Sequence, residues 1–101
     1  IYTLSLHDAL PILVIAAVHG RPVGVCGEAA ADPALAVVLV GLGVASLSMT
    51  ARALPDVDAV LKSVTFEDCQ RLAELATSAG TAEEARNTVR AELPILEELA
   101  L

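Results

Sequence analysis

The chain has 101 residues, enough for one small domain with a modest core. Hydrophobic residues make up 55% of it, and Tyr2 and Phe66 are its aromatic residues, so it offers no stacking platform for nucleic-acid bases. The net charge of −7 argues against nucleic acid and anionic membranes as partners. No apolar run approaches the ~20 residues of a membrane span. Cys26 and Cys69 lie far apart without metal-type spacing, which is typical of a reduced, cytoplasmic protein.

Residues 1–12 differ in character from the rest and read as the translation of a common sequencing-library adaptor. We therefore expect this segment to be an artefact and the native sequence to begin near Leu13, the alternative being a natural N-terminal segment. On this hypothesis His7 and Asp8 carry no function, although they would otherwise suggest an acid–base pair with Cys26. Because the first residue is Ile, we expect a piece of a longer protein, native over 13–101.

The first predicted elements lead to a cysteine. Residues 13–18 are apolar and rich in Ala, and Gly20 follows them, which predicts the end of a helix with Gly20 just after its last turn. A short apolar stretch over 23–25 has the composition of a buried parallel strand. Cys26 comes directly after it. The sequence thus places one thiol near the end of a strand, where the sites of parallel α/β folds usually lie.

A helix and a second strand come next. Asp32 followed by Pro33 is a strong helix start, since Asp caps the free N–H groups and Pro suits the first helical position. Apolar spacing predicts this helix over 33–40, and a second strand follows over 44–49. A strand, helix and strand in this order predict a right-handed parallel unit. Periodicity alone indicates no more than a mixed α/β fold with parallel strands.

The remainder of the chain has the pattern of helices. Thr65-x-x-Asp68 and Thr81-x-x-Glu84 are predicted capping boxes, the second being the better match, and Pro94 should end or kink the helix before it. The helix after Thr65 carries an apolar stripe of Phe66, Cys69, Leu72, Ala73 and Ala76. We expect helices over 55–62, 66–79, 82–93 and 95–101.

Three stretches carry a resemblance to a known family. They read VGVCGEAAADP from Val23, LVGLGVASLSM from Leu39 and ALPDV from Ala53. Together they resemble the C-terminal end of phosphoenolpyruvate–protein phosphotransferases, the enzyme I family of the bacterial sugar phosphotransferase system. The resemblance covers roughly residues 13–92. It implies an α/β fold that is the C-terminal fragment of a (β/α)8 TIM barrel, with two parallel strands, several helices and a helix-rich overall content.

The resemblance also implies a function. Members transfer the phosphoryl group of phosphoenolpyruvate to a protein histidine, release pyruvate and pass the group to a histidine-containing phosphocarrier protein. They use Mg²⁺, whose ligands would lie upstream of this chain, and form homodimers through the barrel. The cysteine matching Cys26 protonates the pyruvate enolate, so Cys26 is the predicted catalytic residue. Because the other catalytic groups would lie elsewhere, we expect the chain alone to be inactive.

Alternatives remain open at this point. Pyruvate phosphate dikinase and phosphoenolpyruvate synthase share the barrel and a similar cysteine loop, so the chain could resemble either of them. Alternatively, the chain is not part of an enzyme's active site but a helical interaction or dimerisation module. Glu28 is expected to hold the loop more than to bind metal, and Asp32 to cap its helix. Cys69 is expected in the core and His19 near a helix dipole. Ser48 and Met49 end the second strand and are further candidates to line the pocket.

Overall fold

A computed structural model describes residues 15, 16 and 18–101. The predicted adaptor segment, residues 1–12, lies outside the described residues, as does the start of the first predicted helix. The elements that follow that helix are β1 (Gly24–Cys26), α1 (Glu28–Ala31), α2 (Pro33–Gly41), β2 (Ser46–Ser48), α3 (Leu54–Lys62), α4 (Phe66–Thr77), α5 (Ala82–Ala91) and α6 (Ile95–Glu98).

The two strands form a parallel pair, as predicted. Gly24 lies opposite Ser46, Val25 opposite Leu47, and Cys26 opposite Ser48. The second strand is shorter than the predicted range 44–49, because only three residues of it, Ser46–Ser48, lie in register opposite Gly24–Cys26. The helix-rich α/β class with two parallel strands is therefore confirmed.

The ends of the helices follow local capping chemistry. Gly20 has φ +64 after the first helical turn, as expected for a residue that ends a helix. The Asp32 carboxylate accepts a hydrogen bond of 3.1 Å from the backbone N–H of Ala34, so the predicted N-cap is confirmed. The short helix α1 was not predicted. Its four residues fill the stretch between Gly27 and Asp32, which the sequence pattern indicated only as a loop.

The two predicted capping boxes differ. The Thr65 box is complete, since its hydroxyl accepts from the N–H of Asp68 at 3.1 Å and its own N–H donates to the Asp68 carboxylate at 3.0 Å. The Thr81 hydroxyl accepts from the N–H of Glu84, but the Glu84 carboxylate binds the N–H of Gly80 instead. The prediction that the second box is the better one was wrong. Glu84 has one methylene more than Asp68, and its carboxylate accepts from the Gly80 N–H at 3.1 Å, one residue before the N-cap.

The core lies between helices. Helix α2 packs most extensively against α4, and α4 packs in turn against α5. Phe66 was expected on the apolar stripe of α4, but it is 55% exposed, because the first helical residue lies at the rim and the buried stripe begins at Cys69. Among the described residues the buried side chains are aliphatic or Cys, with Val37, Val38, Val60, Leu72, Val89 and Leu96 the largest of those most fully buried. No helix within 15–16 and 18–101 is long and apolar enough to cross a bilayer.

Candidate functional site at the strand ends

Cys26 is the last residue of β1, and its thiol is free and exposed. Its partner in the parallel register is Ser48, the last residue of β2. The pairing continues one residue further, because the N–H of Gly27 donates to the carbonyl oxygen of Ser48 at 3.1 Å. The two strands therefore end at the same level, and Cys26 and Ser48 stand side by side at the carboxyl edge of the sheet.

One face of the sheet is exposed, and the other is half-buried. Side chains along a strand alternate between faces, so Cys26, Ser46 and Ser48 share one face with the Gly24 position. All of these positions are exposed, whereas Val25 and Leu47 on the other face are half-buried where α1 lies against both strands. The exposed face consists of small residues. A Cβ added at Gly24 would lie 2.6 Å from the Ser46 hydroxyl oxygen, so the strands leave room only for glycine there without rotation of that side chain.

The loop after Cys26 turns sharply at Gly27, which has φ +100. This conformation is in the left-handed half of backbone space, where side chains other than hydrogen are disfavoured. The turn directs the chain into α1, whose first residue, Glu28, is exposed. Within residues 15–16 and 18–101 no three His, Cys, Asp or Glu side chains come together in a way that could hold a metal ion. Glu28 alone is too few ligands for Mg²⁺.

Asp32 has a second partner that the sequence did not indicate. One carboxylate oxygen accepts the N–H of Ala34, and the other lies 2.7 Å from a guanidinium nitrogen of Arg86 on α5. The Asp32 side chain is only 14% exposed, while that of Arg86 is 54% exposed. The carboxylate thus joins the start of α2 to a helix far along the chain. No local pattern predicts this contact, because the two residues are remote in sequence.

The remaining candidate residues are Cys69, Met49 and His19. Cys69 is buried in the core, and burial raises the pKa of its thiol, so it is poorly suited to proton transfer. Met49 follows β2 and is half-buried, and His19 is exposed beside the end of its helix. A separate cavity of about 310 Å³ lies between α4 and the α5–α6 turn, and an exposed ion pair of Arg71 and Glu92 stands in its lining. None of its lining residues belongs to the strand-end site.

Comparison with known families decides the relationship. The family model for the PEP-utilising enzyme, PEP-binding domain, matches residues 5–66. The chain belongs to this family. The match contains both strands, Cys26 and the loop up to Asp32, so the strand-end site lies inside the family domain. The matched range also begins within 1–12, and the expected boundary at residue 13 stays a prediction.

Individual relatives carry phosphotransferase names. The phosphoenolpyruvate-protein phosphotransferase of Streptomyces coelicolor is 56% identical over 75 residues, which are 74% of this chain and 14% of that protein. The protein of the same name from Geobacillus stearothermophilus is 40% identical over 79 residues, 76% of this chain and 14% of its own length. A Salmonella typhimurium protein named phosphoenolpyruvate-dependent phosphotransferase system is 39% identical over 92 residues, 86% of this chain and 12% of its own. The resemblance seen in the sequence is confirmed, and the chain spans about one seventh of the length of these relatives.

Proposed function

We propose that this chain is the C-terminal part of the (β/α)8 barrel of an enzyme I-type phosphotransferase. The parent enzyme transfers the phosphoryl group of phosphoenolpyruvate to a protein histidine and releases pyruvate. The observation that carries the proposal is the position of Cys26, at the carboxyl edge of a parallel strand pair and on its exposed face, away from α1. In a barrel the helices form the outer layer, and active sites lie at the carboxyl ends of the strands. Such a barrel would place Cys26 inside, at the mouth of the pocket.

Cys26 is the proposed proton donor. Loss of the phosphoryl group to the histidine leaves the enolate of pyruvate, whose methylene carbon needs one proton. The S–H bond of Cys26 breaks, a C–H bond forms at that carbon, and the thiolate left behind recovers a proton from water. An ordinary thiol suits this role because it is mostly protonated at neutral pH yet readily gives up its proton. The exposure of the thiol in this chain is consistent with contact to a ligand.

Phosphoenolpyruvate recognition and Mg²⁺ belong to other parts of the proposed parent. The described carboxylates do not fit a magnesium site, since within the described residues Glu28 belongs to no group of three His, Cys, Asp or Glu side chains that could hold a metal ion. No step is therefore assigned to the metal through these residues. The proposed partners are the histidine-containing phosphocarrier protein, which receives the phosphoryl group, and a second copy bound through the barrel. The proposed location is the cytoplasm.

The decisive experiment replaces Cys26 by Ala in the full-length parent. We expect net formation of pyruvate from phosphoenolpyruvate to be abolished, while exchange of the phosphoryl group with the histidine partly survives, because only the protonation step is removed. Cys69→Ala is the matched control, since Cys69 is the other described thiol and is buried away from the strand ends. Its pyruvate release should stay within twofold of the parent. Unchanged pyruvate release by Cys26→Ala would refute the proposal.

The non-catalytic module makes the opposite prediction in a simpler assay. If Cys26 lies in the substrate pocket of the parent, phosphoenolpyruvate with Mg²⁺ should slow its alkylation by iodoacetamide. If the chain serves only as a helical interaction surface, substrate should leave the alkylation rate unchanged. The isolated 101-residue chain should show no phosphotransfer in either case, because Arg71, Arg86 and Arg90 are engaged by groups of the chain itself and its described carboxylates form no metal site.

A further inference from the structure

The segment that follows Cys26 is held at both of its ends. At its start, the N–H of Gly27 donates to the carbonyl oxygen of Ser48, which ties the turn to β2. At its end, Asp32 closes α1, with its N–H donating to the carbonyl of Glu28 at 3.1 Å, and also caps α2. The conformation of this segment, residues 27–32, therefore depends on what fixes Gly27 and Asp32.

At the Asp32 end, one contact comes from a residue distant in sequence, Arg86. Its guanidinium lies 2.7 Å from an oxygen of Asp32, while the other oxygen of the same carboxylate accepts the N–H of Ala34. The capping bond holds one of the two carboxylate oxygens, and the ion pair holds the other. The ion pair fixes the carboxylate against α5, a helix that packs on α4 and also contacts α2. Because Asp32 is only 14% exposed, solvent screens this pair less than a pair at the open surface.

We propose that Arg86 is a positioning residue for Cys26, acting through Asp32 and residues 27–32. This inference rests on the proposed function, since it assigns Arg86 a part in delivering the thiol proton. The ion pair restrains the segment that follows Cys26 and thereby the placement of the thiol against the substrate. Without it the segment samples other arrangements, and a smaller fraction of the bound enzyme is competent for protonation. Arg86 lies beyond residue 66, where the family match ends, so α5 would serve the site from outside the matched domain.

The test measures steady-state turnover of phosphoenolpyruvate by variants of the full-length parent. Arg86→Ala should lower kcat about fivefold while KM stays within twofold, because substrate binding does not involve the pair. Arg86→Lys keeps a positive charge and should recover most of the loss. In a background of Asp32→Asn, which keeps a capping oxygen but removes the charge, Arg86→Ala should have no further effect. Arg71→Ala is the matched control, since Arg71 pairs with Glu92 on the surface at 3.2 Å, away from the segment.

A second readout does not depend on activity. Hydrogen exchange of the amides of residues 27–32 and of Ala34 should be faster in Arg86→Ala and unchanged in Arg71→Ala. A kcat within twofold of the parent, or equal loss from Arg86→Ala in both backgrounds, would overturn the positioning role. Failure of the proposed function itself has a different signature. In that case Cys26→Ala would leave pyruvate release intact, and the assignment of Arg86 would fall with it even if exchange near Asp32 increased.

Discussion

Gly41 is the residue whose replacement should reveal most about how the helices are held together. It is the last residue of α2, at the crossing with α4. A Cβ added there would overlap the backbone carbonyl group of Cys69 and lie 2.9 Å from the backbone nitrogen of Gln70. These are main-chain atoms inside a helix, so they cannot rotate away as the end of a side chain can. Gly41→Ala therefore requires the two helices to separate by about 1 Å or more.

The magnitude follows from two opposing terms. Replacing Gly by Ala within a helix favours folding by up to about 1 kcal/mol, and by less at a helix end. Forcing extra volume into a packed contact costs typically about 1–3 kcal/mol, and more where backbone meets backbone. Separation of α2 from α4 would also loosen the packing of Val38 and Leu72, which are 1% and 0% exposed. We expect a net loss of roughly 2 kcal/mol, equivalent to a Tm lower by about 8–16 °C in a chain of this size.

Urea and thermal unfolding of the 101-residue chain, followed by circular dichroism at 222 nm, measure this loss. Gly80→Ala is the matched control, because it makes the same chemical change at an exposed position where the new Cβ would meet only the flexible Glu84 carboxylate, at 3.2 Å. Its stability should stay within about 0.5 kcal/mol of the parent chain. If Gly41→Ala were as stable as Gly80→Ala, the close approach of α2 and α4 would not exist and the reasoning would be refuted.

Three further outcomes concern the caps and the thiols. Thr65→Ala removes half of the complete capping box and should cost about 1 kcal/mol in urea unfolding, and an unchanged midpoint would contradict that bond. The hydrogen bond from the Thr65 N–H lowers the pKa of Asp68 below its ordinary value of 3.8. The contribution of this carboxylate to folding stability is therefore complete above that value and is lost as the pH falls through the lower pKa of the folded state. Asp68→Asn should remove this part of the pH dependence of stability in acid unfolding. At neutral pH iodoacetamide should modify Cys26 and spare Cys69, whose pKa is raised by burial, until urea unfolds the chain, as peptide mass mapping would show. Equal labelling of both thiols in the native chain would count against the fold.

Features set by neighbouring residues were predictable from the sequence. The caps at Asp32 and Thr65 depend on bonds that span two or three residues, and both appear where the pattern indicated them. The parallel pairing of the strands follows from the short helical connection between them, and it brings Cys26 to the predicted edge of the sheet. The short helix α1 was missed because four residues following a glycine give too little periodicity to be recognised.

Features set by distant residues were not predictable. The apolar stripe predicted for α4 included Cys69, which is buried, and Phe66, which is exposed. Residue spacing indicates which face of a helix is apolar, but not how far along the helix its neighbours cover that face. Gly41 comes directly after the helix predicted over 33–40, and nothing local indicates that its lack of a side chain permits the contact with α4. The ion pair between Asp32 and Arg86 joins residues with no pattern linking them. Each of these depends on how helices dock, which is a property of the folded chain.

Three arginines of this chain bind groups within the chain itself, so the rest of the proposed enzyme must supply the groups that bind phosphate. Arg71 and Arg86 are paired with carboxylates, and Arg90 donates to the carbonyl oxygen of Leu101 at 2.7 Å. These three cations stabilise contacts of the helices and their caps. A phosphoryl group has three oxygens, and binding it needs several cations or N–H donors gathered on the sheet face that carries Cys26. In the proposed enzyme those donors come from other barrel strands, while this segment holds one acid in place. The split explains why the chain alone should be inactive although its loss would leave the enolate without a proton.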